Sequence, residues 1–342
     1  EAVAITEGVN VVVTPKRPVL KDYIIVRDAV ARQLNKNPDE VELEAYRDIT
    51  ELDLSKSGIS DLRPLKGFTN LRLLDLHGVP VNDISVVAHL KELRSLNLYD
   101  TKVSDISAVE ELTHLEGLGL NGTPVSDITV VARLENLQGL YLDRTNVKDI
   151  SVVRSLTKLR RLGLDQTEIS DISVVRGLTS LRYLGFNFTQ VSDIGALSAL
   201  TNLQELYLGG APVIDIRPLA SLTNLKKLHL FSTQVSDIRP LAGLANLQEL
   251  YLGGTPVIDM GPVASLTNLQ ELYLGGTQVR EIRPLAGLAN LQRLSLADTQ
   301  VSDIRPLVSL KNLQTLYLTG THVSDEQVAE LQKALPNLNI ER

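Results

Sequence analysis

Apolar residues fall on a fixed grid along most of the chain. Residues Leu225–Asn246 read LKKLHLFSTQVSDIRPLAGLAN, and a shift of 22 residues brings the same pattern back from Ile49 to the C-terminus. Position 1 of each unit is Ile49, Leu71, Leu93, Leu115, Leu137, Leu159, Leu181, Leu203, Leu225, Leu247, Leu269, Leu291 and Leu313. Positions 4 and 6 are apolar and alternate with outward positions 3, 5 and 7, so each unit opens with a short strand. Apolar residues then recur at positions 11, 14, 17 and 20, a spacing near three. Proline often stands at position 16, as in Pro64, Pro218, Pro240, Pro284 and Pro306. That combination predicts a turn of 3₁₀ type rather than a full α-helix. One unit cannot bury its leucines alone, but a stack can. The grid therefore predicts an α/β solenoid of about 13 repeats, not two globular domains.

The ends lie off the grid. Val9–Thr14 reads as a short strand, broken by Pro15 and Pro18. Asp22–Asn35 reads as an amphipathic helix with Ile25, Ala29 and Leu34 near one face. Asn37 and Pro38 start a second helical stretch, PDEVELEAY, with acids in its first turn. A helix before the first repeat would cover leucines otherwise left in water. At the other end, Asp325–Leu335 reads as a polar helix, with Leu338 and Ile340 after it at strand positions 4 and 6. The expected organisation is an extension or linker over 1–21, a helical cap over 22–48, repeats over 49–323 and a C-terminal helical cap over 324–342.

Two polar ladders run through the repeats. Position 9 is Thr in most units, from Thr101 to Thr321, placed to satisfy buried backbone groups where the chain leaves the strand. Position 13 is Asp from Asp61 to Asp325, with Glu281 the exception, placed to accept from free N–H groups at the convex turn. A row of Ca²⁺ ligands is the alternative. Capping explains every member, and no second ligand row stands beside it.

The pattern LxxLxLxxTxVSDIxxLxxLxx resembles the bacterial leucine-rich repeat of the internalin type, from Asp22 to about Leu316. The resemblance implies a right-handed horseshoe with a parallel sheet on the concave face, 3₁₀ and other short turns on the convex face, and a helical N-terminal cap. It also implies a secreted or cell-surface protein, with a cytoplasmic or host-delivered one as the alternative. Two features depart from the family: Thr stands at position 9 where internalins usually carry Asn, and the C-terminal segment is not an immunoglobulin-like domain.

Function is then sought on the outward positions of thirteen strands, a surface of about 60 Å at roughly 4.8 Å per strand. Tyr207, His229, Tyr251 and Tyr273 fall at one level on consecutive strands, with Phe231 beside them between Gly209 and Gly253. Exposed aromatics flanked by glycines suit an anchor patch for a partner. The plainer reading is that tyrosine fits strands and that the phrase LQELYLGG was copied by duplication. Phe231 lies outside that phrase and favours the patch. Lys227 and Glu249, with Glu205 and Glu271, form a mixed-charge row at its border, which reads as a solvated rim rather than a site of its own. A second region is thinned by Gly117, Gly119, Gly139, Gly163 and Gly185 and bordered by Tyr141, Asp143, Arg144, Arg161, Asp165 and Tyr183. It predicts a shallow hollow with room for a loop or a glycan, unless these positions merely tolerate small residues.

Composition narrows the classes. With 43% hydrophobic residues, one Met, no Trp and no Cys, the apolar content is mainly Leu, Val and Ile. Without cysteine there is neither a disulfide framework nor a thiol nucleophile. A net charge of −7 with no basic block argues against a nucleic-acid partner. No run of 18 apolar residues exists to span a membrane. The start at Glu1 fits a removed signal peptide or an arbitrary beginning. His77, His89, His114, His229 and His322 occupy five different repeat positions, so they build no metal cluster, and neither GxxxxGK[ST] nor GxSxG occurs. No cofactor and no catalysis are expected. The expectation is a monomeric recognition module that holds a protein partner on its concave face. The alternatives are the recognition domain of a larger enzyme (a ubiquitin-ligase effector or a GTPase) and a structural or carbohydrate-binding surface protein.

Overall fold

A computed structural model of the chain describes residues 20–342. The expected strand at Val9–Thr14, and all but the last two residues of the expected extension, lie outside the described residues. A helix, α1 (Leu20–Leu34), comes first, and short 3₁₀ turns at Pro38–Glu40 and Leu43–Asp48 lead into the repeats. The strands are β1 (Glu51–Asp53), β2 (Leu73–Asp75), β3 (Ser95–Asn97), β4 (Gly117–Gly119), β5 (Gly139–Tyr141), β6 (Arg161–Gly163), β7 (Tyr183–Gly185), β8 (Glu205–Tyr207), β9 (Lys227–His229), β10 (Glu249–Tyr251), β11 (Glu271–Tyr273), β12 (Arg293–Ser295), β13 (Thr315–Tyr317) and β14 (Asn339–Glu341). All 14 form one parallel sheet in sequence order, the sheet of a leucine-rich-repeat horseshoe. A 3₁₀ turn separates each pair of successive strands as far as β13. The helix α2 (Asp325–Ala334), N-capped by Ser324, stands between β13 and β14.

The grid residues make the core. Positions 4 and 6 are buried throughout: Leu228 and Leu230, for example, are each 0% exposed. The ladders work as their chemistry requires. From Thr101 to Thr321, the position 9 hydroxyl donates to the carbonyl of position 6 at 2.6–2.8 Å. Position 13 aspartates accept the N–H of the residue two further on at 2.7–3.0 Å, opening every 3₁₀ turn of the repeats but the one after Glu281. A third ladder joins the repeats. Asn at position 22, such as Asn224, donates to a carbonyl 23 residues earlier at 2.8–3.0 Å.

Position 8 carries a further regularity. Every residue there has positive φ, from Lys56 (53°) and Gly78 (68°) to Gly320 (70°). Glycine is the low-cost occupant of this left-handed region, yet Asp100, Arg144, Gln166, Phe188, Ser232 and Asp298 also adopt it.

At the N-terminus α1 buries Val26, Ala29, Val30 and Ala31. Ile25 and Leu34 are only partly buried, so the inward face is centred one residue from its expected position. Asp22 is 0% exposed and accepts from Ser60 N at 3.0 Å and Ser60 Oγ at 3.4 Å, which fixes the helix on the first repeat. At the C-terminus one expectation is corrected. Ile340 pairs with Leu316, a step of 340 − 316 = 24 residues rather than 22, so Ile340 takes position 4 and Leu338 precedes the strand. The ten-residue α2 takes a longer path than a 3₁₀ turn and shifts the register.

Candidate functional site

The outward positions of β7 to β11 carry a column of rings. Tyr183 lies 5.3 Å from Tyr207, Tyr207 lies 4.5 Å from His229, His229 lies 4.1 Å from Tyr251, and Tyr251 lies 4.3 Å from Tyr273, all between ring centroids. Parallel pairing in register at a 22-residue step sets this spacing. The sequence separates Tyr183 from the other four because it stands at position 3 and they stand at position 5. Its ring leans over the bare backbone of Gly185 and closes that gap, its hydroxyl 3.1 Å from where a Cβ would stand.

Carboxylates hold the hydroxyls of the column. Tyr207 donates to Glu205 at 2.9 Å, while Tyr251 and Tyr273 both donate to Glu271 Oε2, at 3.2 and 3.3 Å. Arg293 closes on the same carboxylate at 2.6 Å, and Lys227 pairs with Glu249 at 2.8 Å. The mixed-charge row is thus a half-buried network that positions the rings, not a solvated rim. Burial, followed by these anions, pushes the Tyr207 hydroxyl well above its ordinary pKa; at Tyr251 burial is likewise the leading cause. His229 has the opposite shift. Burial between two rings, then the charge of Lys227, lowers its pKa to about 4, and its Nε2 is buried without a hydrogen-bond partner.

Phe231 is not the freely exposed ring expected from sequence. It is half-buried and lies over Gly209, where a Cβ would come within 2.3 Å of its ring. The Gly253 side stays bare of it. Its neighbour is Phe188 at 5.7 Å, which lies over Gly210 in the same way. Phe188 is 52% exposed and has φ 55°, a costly backbone state for an aromatic residue. The Gly209–Gly210 pair therefore floors two phenylalanines, one from the repeat before and one from the repeat after. Sequence reasoning missed Phe188 because position 8 lies outside the strand rows. The recurrence of Gly at that position was the available signal.

The glycine-thinned region divides in two. Asn121, Asp143, Asp165 and Asn187 form a side-chain ladder at position 7: each accepts the backbone N–H of the next repeat's position 7, at 3.1, 2.8, 2.8 and 2.7 Å. The Asp143 and Asp165 carboxylates fill the space above Gly163 and Gly185, so no hollow exists there. Burial raises the pKa of Asp143 to about 6 and is also the main cause raising that of Asp165. A true hollow of about 400 Å³ lies over Gly117 and Gly119, lined by Ser95, Asn97, Tyr99, Asn121 and Tyr141. Gly119 is crowded by Asn97, and Gly139 by the Tyr141 ring. Gly117 differs: an added Cβ would meet only Ser95 Oγ, at an ordinary 3.6 Å. Arg161 lies away from this hollow, with its guanidinium 4.7 Å above the Tyr183 ring. Arg144 reaches back to the Tyr99 hydroxyl at 2.5 Å.

Among the described residues no three His, Asp or Glu side chains gather to hold a metal ion, and no helix is long and apolar enough to cross a membrane. The site offers aromatic edges, a bare hollow and charged borders.

The comparisons agree with the repeat fold. A leucine-rich-repeat region model matches residues 49–211, and a model for pairs of leucine-rich repeats matches 223–265, 267–309 and 289–333. No curated protein matches the chain. Among solved structures, an internalin (InlF) from Listeria monocytogenes is 28% identical with a TM-score of 0.75, the match covering 88% of this chain and 98% of that one. A leucine-rich-repeat protein from Leptospira interrogans is 22% identical with a TM-score of 0.63, covering 88% and 97%. The ectodomain of an Arabidopsis thaliana receptor kinase, solved with Casparian strip integrity factor 2, is 19% identical with a TM-score of 0.70, covering 94% of this chain and 47% of that one.

Proposed function

Because the chain belongs to the leucine-rich-repeat family, with repeats of the internalin type, we propose that it is a non-catalytic bacterial recognition module, secreted or displayed at the cell surface. As a monomer it holds a protein partner on its concave face. The column from Tyr183 to Tyr273, with Phe188 and Phe231 at its edge, is the anchor. Lys227 and Glu249 hold its border, Tyr141 lines the neighbouring hollow, Asp143 stands in the position 7 ladder and Arg161 lies over the Tyr183 ring at the end of the column. Leucine-rich repeats generally serve as protein-contact surfaces, and the single observation that carries the reading here is Phe188. A half-exposed phenylalanine at a left-handed position gives the fold little and suits contact with a partner.

The stacking favours a protein partner over a carbohydrate. A sugar packs on an open ring face. Here Tyr251 and Tyr273 lie nearly parallel, at 20°, and use their faces on each other, so this pair offers edges and side-chain stems. Tyr207→Ala, Phe231→Ala and Tyr251→Ala combined leave the leucine core untouched. The test is a pull-down with the intact and the triply substituted chain, read by mass spectrometry. Proteins retained by the intact chain and lost from the variant are the expected outcome. Identical sets would overturn the reading.

A further inference from the structure

Beside the ring column lies a cluster of cations that the fold does not use. Arg160, Arg161 and Arg182 are all exposed, and none has an ion-pair partner among the described residues. Unpaired arginines also stand singly elsewhere among the described residues, as at Arg72 and Arg154, but here three gather on two adjacent repeats, and several others are neutralised where they stand. Arg217, Arg239 and Arg305 are each clamped by the Asp two residues earlier, at 2.6, 2.7 and 2.6 Å. Arg160 and Arg182 occupy position 2 of adjacent repeats and lie side by side at the strand edge, with Arg182 N donating to Arg160 O at 2.8 Å. Lys158 stands at the same edge, bonded only to the neutral Asn136 at 2.7 Å.

Arg161 supplies the second observation. Its guanidinium is seated 4.7 Å above the Tyr183 ring, yet no carboxylate among the described residues accepts from it. A stacked guanidinium has given up much of its rotamer freedom in advance, so its planar fork meets a carboxylate at low entropic cost. The acids around the Tyr183 ring are engaged elsewhere: Asp143 accepts from Asp165 N at 2.8 Å. Asp165 accepts from Asn187 N and Nδ2, both at 2.8 Å, and Glu205 accepts from Tyr207. In a chain of net charge −7, this places three unpaired guanidinium groups next to the aromatic anchor.

We propose that the partner is an acidic protein segment, with a carboxylate on the Arg161 fork, a second acid spanning Arg160 and Arg182, and an apolar stretch running on to the Tyr207–Tyr273 rings. The proposal rests on the concave-face reading above and adds the partner's charge and orientation. Nucleic acid or a sulfated glycan suits the site less well. The patch spans two repeats, roughly 10 Å, and the surrounding net negative charge repels a long polyanion.

The test uses the full chain and a phage-displayed random dodecapeptide library, with enriched peptides synthesised and their affinity measured on the wild type and on variants. Peptides rich in Asp or Glu are expected. Arg161→Glu should weaken them roughly a hundredfold and Arg161→Lys roughly tenfold, since lysine keeps the charge and loses the fork. Acid-to-amide changes in the peptide should abolish the difference between wild type and Arg161→Glu. Peptides without acids, affinities indifferent to Arg161→Glu, or no binders at all would overturn the proposal. So would a heparin dodecasaccharide that binds through Arg161 where acidic peptides do not. The two readings fail separately. Loss of binding in Tyr207→Ala with indifference to Arg161 removes only the acidic segment. Dependence on Arg161 with indifference to Tyr207 and Tyr251 removes only the aromatic anchor.

Discussion

The imidazole of His229 stacks 4.1 Å from the Tyr251 ring, and no hydrogen-bond partner reaches its buried Nε2. Its pKa in the folded chain, about 4, lies below the ordinary 6.5, mainly through burial. The unfolded chain therefore takes up this proton first as pH falls. The associated stability is fully present above pH 6.5 and is lost as pH falls toward 4. After discounting for partial exposure, the loss is on the order of 1–2 kcal/mol. His229→Phe keeps the stack and removes the titration. Melting curves at pH 7 and pH 4.5 should therefore shift less for the variant than for the wild type. Equal shifts would show that His229 does not titrate as described.

Asp143 has the opposite sign. Its pKa is raised from 3.8 to about 6 by burial, so its carboxylate favours folding when protonated, and that contribution is lost as pH rises through 6. Asn121 and Asn187 make the same side-chain-to-backbone bond in the same ladder, so an amide fits at 143. Asp143→Asn should stabilise the chain by on the order of 2 kcal/mol at pH 7.5 and lose that advantage near pH 4. A lower melting temperature at pH 7.5 would contradict the assignment.

Gly117 tests whether the hollow is functional. A strand glycine costs roughly 0.5–1 kcal/mol relative to alanine, and no side chain of this protein crowds this one. Gly117→Val should raise thermal stability, because a β-branched residue suits a strand. If the hollow receives a knob from the partner, the same variant should lose affinity. A more stable variant with unchanged affinity would show that the hollow is empty in the complex.

Phe188→Gly relieves a left-handed aromatic, worth about 1–2 kcal/mol, and gives up a ring pair worth about 0.5–1.5 kcal/mol. Denaturant unfolding should therefore change by less than about 1 kcal/mol. Partner affinity should fall several-fold. A much larger loss of stability would make Phe188 a structural residue.

Asp22→Ala should cost about 1–3 kcal/mol by removing the buried carboxylate that accepts from Ser60 N and Oγ. Hydrogen exchange should then rise first around β1 and β2, because a repeat array opens from its ends. Uniform exchange along the chain would argue against Asp22 as the clasp of α1.

The frame of this protein is legible in its sequence because it is periodic. Leu228 and Leu230 are buried because their letters recur every 22 residues, and Thr233 and Asp237 have the same advantage. The Asn224 ladder has the same 22-residue step but is broken at Glu92, His114, Lys158 and Ser180, and a polar residue beside a loop looks solvated, so it is harder to read. The site is less legible because it depends on which way side chains lean. Tyr183 and Tyr207 occupy different rows, yet their rings meet diagonally across a glycine. Asp143 and Asp165 fill space that the letters of Gly163 and Gly185 leave open. No repeat pattern encodes those tilts.

The column also acts as a ruler. Its five rings mark strands spaced about 4.8 Å apart, a total of roughly 19 Å. An extended peptide laid along it repeats its side chains on one face about every 6.7 Å and falls out of step within two rings. Successive turns of an α-helix, 5.4 Å apart, drift by only about 2.4 Å over the whole length. The pitch of the surface favours a helical element lying across the strands.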